Sequence, residues 1–132
     1  MPCIYVNWKK GKTPEQKQEI RTRIANEVSE TIGVGPNLVS IFFHDMPEED
    51  VPYYANLIWV YWTVGRSDED KDTLVRIITD AIHDVTGDPV EIISIMIFDL
   101  PQGNLAGSGR ILNRGGSVAD QLMTGKTLDE CE

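Results

Sequence analysis

Gly11-Lys12-Thr13-Pro14-Glu15-Gln16-Lys17 returns as Gly65-Arg66-Ser67-Asp68-Glu69-Asp70-Lys71, 54 positions further on (65 − 11). Each stretch runs from a glycine through a cation and a hydroxyl residue into acidic positions, the order expected where a loop turns into the first turn of a helix. The correspondence spreads outward in both directions. Ile4, Val6, Trp8, Ile24, Gly33, Ser40, Ile41, Asp45 and Pro47 fall on Ile58, Val60, Trp62, Ile78, Gly87, Ser94, Ile95, Asp99 and Pro101. One structural unit is therefore written twice, as repeat one (residues 2–56) and repeat two (57–110), with a C-terminal hairpin and tail over 102–132.

Within each repeat the order of elements is legible. Cys3 to Trp8 and Leu57 to Val64 are rich in β-branched and aromatic residues and read as strands. Thr13 is placed to cap a helix, with Pro14 at its first position and Gln16 able to close a capping box, and Ser67 with Asp70 repeats the arrangement. Ile20, Ile24, Val28 and Ile32 form one helical stripe, and Leu74, Ile77, Ile78, Ala81, Ile82 and Val85 form the other. Gly33 and Gly87 suit the left-handed positions that end them. Second strands follow at Val39 to Phe43 and Ile92 to Phe98. Two short strands flanking a helix predict a β-α-β unit with parallel strands. The fold class is thus α/β (α+β): a four-stranded mixed sheet with two helices on one face. Glu48 to Asn56 reads as a connecting loop, 102 to 110 as a hairpin, Ser117 to Met123 as a short terminal helix, and 127 to 132 as a frayed end.

The 132 residues fit a single domain over 1–132. Twelve Lys and Arg against 21 Asp and Glu give a formal charge of −9, which disfavours a nucleic-acid partner. No segment has the length and apolarity of a membrane span, and residues 1–10 lack a secretory pattern, so no membrane partner and a cytoplasmic address are expected. Cys3 and Cys131 have no metal-ligand spacing, and neither a metal site nor any cofactor is predicted. Both strand faces are apolar: Leu57, Trp59 and Tyr61 alternate with Ile58, Val60 and Trp62, and Met96 and Phe98 with Ile93, Ile95 and Ile97. Two helices cover only one face, so copies of the chain are expected to cover the other in a symmetric oligomer.

Pro2 after Met1, a strand, the Gly11–Lys17 motif, a helix, and a strand ending in Asp45-Met46-Pro47 together resemble the 4-oxalocrotonate tautomerase family, and Gly65–Lys71 matches its loop-helix motif more closely still. The resemblance covers residues 2 to 110. A chain carrying both units resembles the family's fused, trimeric branch, similar in plan to malonate semialdehyde decarboxylase and the 3-chloroacrylic acid dehalogenases. It implies a homotrimer and a small-molecule carboxylate substrate. It also implies a catalytic role for Pro2: with Met1 removed, Pro2 is a secondary amine, and apolar neighbours such as Ile41 or Phe43 would lower its pKa from about 8 toward neutrality, the useful range for a base. Proline is equally tolerated where a strand merely starts. Repeat two has Asn56 in place of Pro2, and its acylated nitrogen cannot act as a base, so one active site per chain is implied.

The resemblance assigns Arg66 to the substrate carboxylate near Pro2, a role its planar fork suits, and leaves Lys12 structural or solvated. The family's second carboxylate-binding arginine falls on Ser40 and Ser94, and its hairpin aromatic on Leu105, which favours a monocarboxylate. Arg66, Leu105 and Arg110 form the expected substrate-binding set, with Arg114 the alternative to Arg110. The acid-base groups of the cis-type dehalogenase pattern fall on Val28 and Gly107, and two charged positions of the decarboxylase fall on Leu38 and Val64. The expected activity is a cofactor-independent tautomerase acting on a 2-oxo or enol monocarboxylate. The alternatives are a dehalogenase, hydratase or decarboxylase using Pro2 as an acid, and a non-catalytic trimeric binding protein. His44 and His83 read as solvated or hydrogen-bonded, and Tyr53 and Tyr54 as aromatics at a pocket mouth.

Overall fold

The computed structural model describes residues 2–52 and 56–111. Strand β1 (Cys3–Lys9) leads into helix α1 (Pro14–Ile32) and strand β2 (Ser40–Met46). Strand β3 (Asn56–Thr63), helix α2 (Asp68–Thr86) and strand β4 (Ile93–Leu100) repeat that order, and β5 (Ala106–Gly107) and β6 (Arg110–Ile111) form a small hairpin. The sheet order is β2-β1-β3-β4, with β1 parallel to β2, β3 parallel to β4, and the two repeats joined antiparallel through β1 and β3.

The helix ends follow their sequence signals. The Thr13 hydroxyl accepts from Gln16 N and the Gln16 side chain accepts from Thr13 N, closing the capping box. Only half of that box forms at α2, where Ser67 Oγ accepts from Asp70 N. The aspartate side chain is one methylene shorter than that of Gln16. Gly33 and Gly87 end the helices at φ 87° and 78°, a conformation that costs a residue with a Cβ roughly 1 kcal/mol or more.

Some boundaries differ from expectation. β2 continues through His44 and Asp45 to Met46 because β1 runs alongside it to Lys9, and the ladder outweighs the polar sequence. Short 3-10 turns at Pro36–Leu38 and Val90–Ile92 precede β2 and β4. Asn56, expected in the loop, opens β3. The expected terminal helix at 117–123, the frayed end, Cys131, Tyr53, Tyr54 and Arg114 lie outside the described residues.

One core fills the space between helices and sheet. Ile4, Val6, Trp8, Ile58, Val60 and Trp62 are fully buried against Ile20, Ile24, Val28, Leu74, Ile78 and Ile82. The opposite sheet face is bare: Tyr5, Phe42, Trp59, Met96 and Phe98 are 36% to 51% exposed. Tyr5 stacks on Phe42 with centroids 5.0 Å apart and Tyr61 on Phe98 at 4.7 Å, which makes a continuous aromatic surface.

Candidate active site

The antiparallel junction brings the start of β1 to the end of β3. Cys3 stands opposite Tyr61 and beside Ser40, so one residue earlier Pro2 falls between Trp62 and Val39. Pro2 is buried, and its carbonyl accepts a hydrogen bond from Ser40 N at 3.1 Å. Its apolar neighbours are thus Val39 and Trp62. Ile41 and Phe43, expected to surround it, pair instead with Ile4 and Val6 further along the strand, and Phe43 stacks on Trp8.

Arg66 enters from the turn after β3. The turn is held to β4 by a hydrogen bond from Val64 N to Leu100 O at 2.9 Å, and Gly65 takes φ 105°, which favours glycine. The Arg66 guanidinium lies over the Trp62 ring at 5.4 Å from its centroid. Trp62 therefore links the two expected residues, being cross-strand neighbour to Pro2 and platform to Arg66. Among the described residues no carboxylate pairs with Arg66, nor with Lys10, Arg21 or Arg76, whereas its repeat counterpart Lys12 is paired with an acidic side chain. This cation stands beside the acidic first turn of α2, and its planar guanidinium carries the paired donors that a carboxylate accepts from.

The same geometry recurs at the other end of the sheet with different side chains. Asn56 stands opposite Trp8, and Lys12 lies over the Trp8 ring at 5.6 Å. Here the cation is engaged: Lys12 Nζ is 2.9 Å from Asp88 Oδ1, and Asn56 Nδ2 donates to Asp88 Oδ2 at 2.9 Å. Lys12 is thus structural, as expected. Asp88 was not singled out in the sequence, yet a signal exists: the 54-residue shift aligns it with Val34, an exchange of hydrophobe for acid facing a cation.

Leu105 and Arg110 sit on the hairpin that follows β4, at the sheet end shared by Pro2 and Arg66 but beyond edge strand β4 rather than on the strands flanking Pro2. Leu105 is half-buried and Arg110 exposed. The histidines lie apart: His44 Nδ1 is 3.2 Å from Asn7 Oδ1, and His83 Nδ1 is 2.8 Å from Asp88 O. Behind the Lys12 half, Trp8 Nε1 and Lys17 Nζ donate to the two oxygens of Asp45 at 2.8 and 2.6 Å. Burial alone would raise this carboxyl, but these donors and the Lys17 charge hold it below the ordinary carboxylate range. The counterpart carboxylate, Asp99, keeps its lysine but not its tryptophan, and buried Trp62 Nε1 has no partner among the described residues. No group of three or more His, Cys, Asp or Glu among them could hold a metal ion, and no helix there is long and apolar enough to cross a membrane.

Two successive matches to the Tautomerase profile, described as tautomerase enzyme, cover residues 2–61 and 57–113. The chain belongs to the Tautomerase family. The matches fall on the two repeats and overlap where one passes into the other. Solved tautomerase structures share the fold at low identity. A fused 4-OT, solved as a wild-type asymmetric trimer, superposes with a TM-score of 0.78 at 20% identity, covering 83% of this chain and 94% of that one. Pt0534 inactivated by 2-oxo-3-pentynoate gives 0.74 at 20%, covering 82% and 93%. A member of the cis-3-chloroacrylic acid dehalogenase (cis-CaaD) family gives 0.71 at 18%, covering 83% and 82%. Among curated protein sequences none matches this chain.

Proposed function

We propose that this tautomerase-family chain interconverts the enol and keto forms of a 2-oxo monocarboxylate without a cofactor, with Pro2 as general base and Arg66 holding the carboxylate, in a homotrimer. The observation that carries the reading is the contrast between the sheet's two ends. Each has a cation over a tryptophan, but only the end that holds Pro2 leaves its cation without an acidic partner among the described residues.

The chemistry follows from those groups. With Met1 removed, the Pro2 nitrogen is a secondary amine among Val39 and Trp62, and low polarity disfavours its protonated form. The amine takes the enol hydroxyl proton, the electrons move to form the ketone, and the same proton is returned to the carbon at the other end of the enol. Arg66 holds the substrate by a two-pronged contact to its carboxylate, which fixes the reacting carbon relative to Pro2. Leu105 and Arg110, on the hairpin at the same end of the sheet, are assigned as the further substrate contacts. A related structure inactivated by a 2-oxo acid supports this substrate class. The bare aromatic face and a relative solved as a trimer support the assembly.

The decisive experiment compares the pH-rate profiles of kcat/KM for the parent and Pro2→Ala with an enol acid such as phenylenolpyruvate, after intact mass has established loss of Met1. The parent profile is expected to rise through an ascending limb near neutrality, and Pro2→Ala to move that limb upward while lowering the rate by about 10²- to 10⁴-fold. An unmoved limb refutes Pro2 as the base. Faster turnover of a 3-haloacrylate or a β-oxo acid would reassign the chain to dehalogenation, hydration or decarboxylation. Carboxylate binding without turnover would make it a trimeric binding protein.

A further inference from the structure

The end of the sheet opposite Pro2 holds a cavity of about 300 Å³ between the Lys9–Lys12 loop, Asn56, Asp88 and Ile92. The repeat maps this wall onto the Pro2 end: Asn56 takes the place of Pro2, Gly11 of Gly65, Lys12 of Arg66 and Ile92 of Leu38. Asp88 stands for Val34, as Lys10 stands for Val64 and Asn56 for Pro2, and of these exchanges only Asp88 brings in a carboxylate. Its carboxylate does in this cavity what a bound carboxylate would do, with one oxygen on the cation and the other on the residue at the proline position, both at 2.9 Å. Asn56 is 1% exposed, and the Lys12 and Asp88 side chains are 19% and 20% exposed, so the contacts are shielded from water.

The geometry points to a second carboxylate-binding site in each chain, closed by the chain's own Asp88 and able to take a small external monocarboxylate such as formate when that side chain is removed. The carboxylate is presented by a fixed turn. Gly87 ends α2 in the left-handed conformation, Asp88 N donates to Thr86 Oγ1 at 3.2 Å, and the Asp88 carbonyl lies 2.8 Å from His83 Nδ1. A tethered group pays little of the translational and rotational cost that a free anion pays, so ordinary concentrations of free carboxylate do not displace it. The consequence is functional as well as structural. The second half-site keeps its cation for architecture but does not compete for substrate, which leaves one open site per chain.

The experiment reads thermal stability, so it needs neither turnover nor Pro2, and its failure is independent of the catalytic reading. Asp88→Ala keeps the backbone hydrogen bonds of the turn and vacates the carboxylate position. Its Tm is expected to fall by several degrees and to recover saturably with formate, with a midpoint on the order of 1–10 mM, against chloride at matched ionic strength. The parent, Asp88→Asn and the double variant Asp88→Ala/Lys12→Met all keep the Arg66 site, so the formate response they share over chloride sets the baseline, and only Asp88→Ala is expected to rise above it. The parent and Asp88→Asn still fill the position, and the double variant lacks the cation. A folded Asp88→Ala without a formate-specific response, or an equal response in the double variant, overturns the proposal. If Asp88→Ala folds only in formate, the proposal stands; if it stays unfolded even in 0.2 M formate (about 20 times the upper midpoint) while Asp88→Asn folds, Asp88 is a structural ion-pair partner and nothing more.

Discussion

Phe42→Ser offers a direct test of what covers the bare sheet face. Phe42 is the most exposed of the large apolar side chains there, at 51%, and stacks on Tyr5. A phenylalanine side chain presents roughly 200 Å², so about 100 Å² of Phe42 is left for a partner, worth about 2.5 kcal/mol at ~25 cal/mol/Å². A symmetric trimer loses this in three places, about 7.5 kcal/mol in all, or roughly 10⁵ in the association constant. Because that constant scales with the square of the midpoint concentration, the half-dissociation point is expected to rise by roughly 10²- to 10³-fold. Sedimentation velocity on the parent and variant over a concentration series reads the shift directly, and circular dichroism checks that the half of Phe42 buried within the chain was not needed for folding. A parent that stays monomeric at micromolar concentration, or a variant trimer with an unmoved midpoint, refutes the assignment of this face to other copies of the chain.

Arg66→Ala is expected to lower kcat/KM for an enol monocarboxylate by about 10²-fold through loss of a charge-assisted contact, whereas Lys12→Ala is expected to lower Tm and leave kcat/KM nearly unchanged; equal kinetic losses would mean two working sites per chain. Asp45 titrates below its unfolded value, so its contribution to stability is fully present above about pH 4 and is lost as the pH falls through the depressed folded value. Asp45→Asn, followed by urea unfolding at several pH values, is expected to flatten the loss of stability below pH 4 relative to the parent, and an unchanged acid limb would contradict the role given to Lys17 and Trp8.

The local order of this chain was legible in its residues. The 54-residue repeat, the caps at Thr13 and Ser67, the stripes from Ile20 and Leu74, and strands apolar on both faces all follow from rules that act within one turn or one strand. Those rules gave two β-α-β units, one covered face and one bare face. They also gave Pro2 and Arg66 as residues worth pairing, through a resemblance borne by Gly65–Lys71. What they do not carry is neighbourhood across the repeats. Side-chain alternation says which way a residue faces but not which strand lies next to it, and the antiparallel meeting of β1 with β3 is settled by packing two helices over one continuous core. That junction sets Pro2 against Trp62, while the parallel register of β1 with β2 sets Val39 beside it rather than Ile41 or Phe43. It also draws Asn56 and Lys12 around Asp88, which lies 32 residues from the one and 76 from the other. A pairing at that separation leaves no periodic trace in a sequence, because it is fixed by the register of the whole sheet.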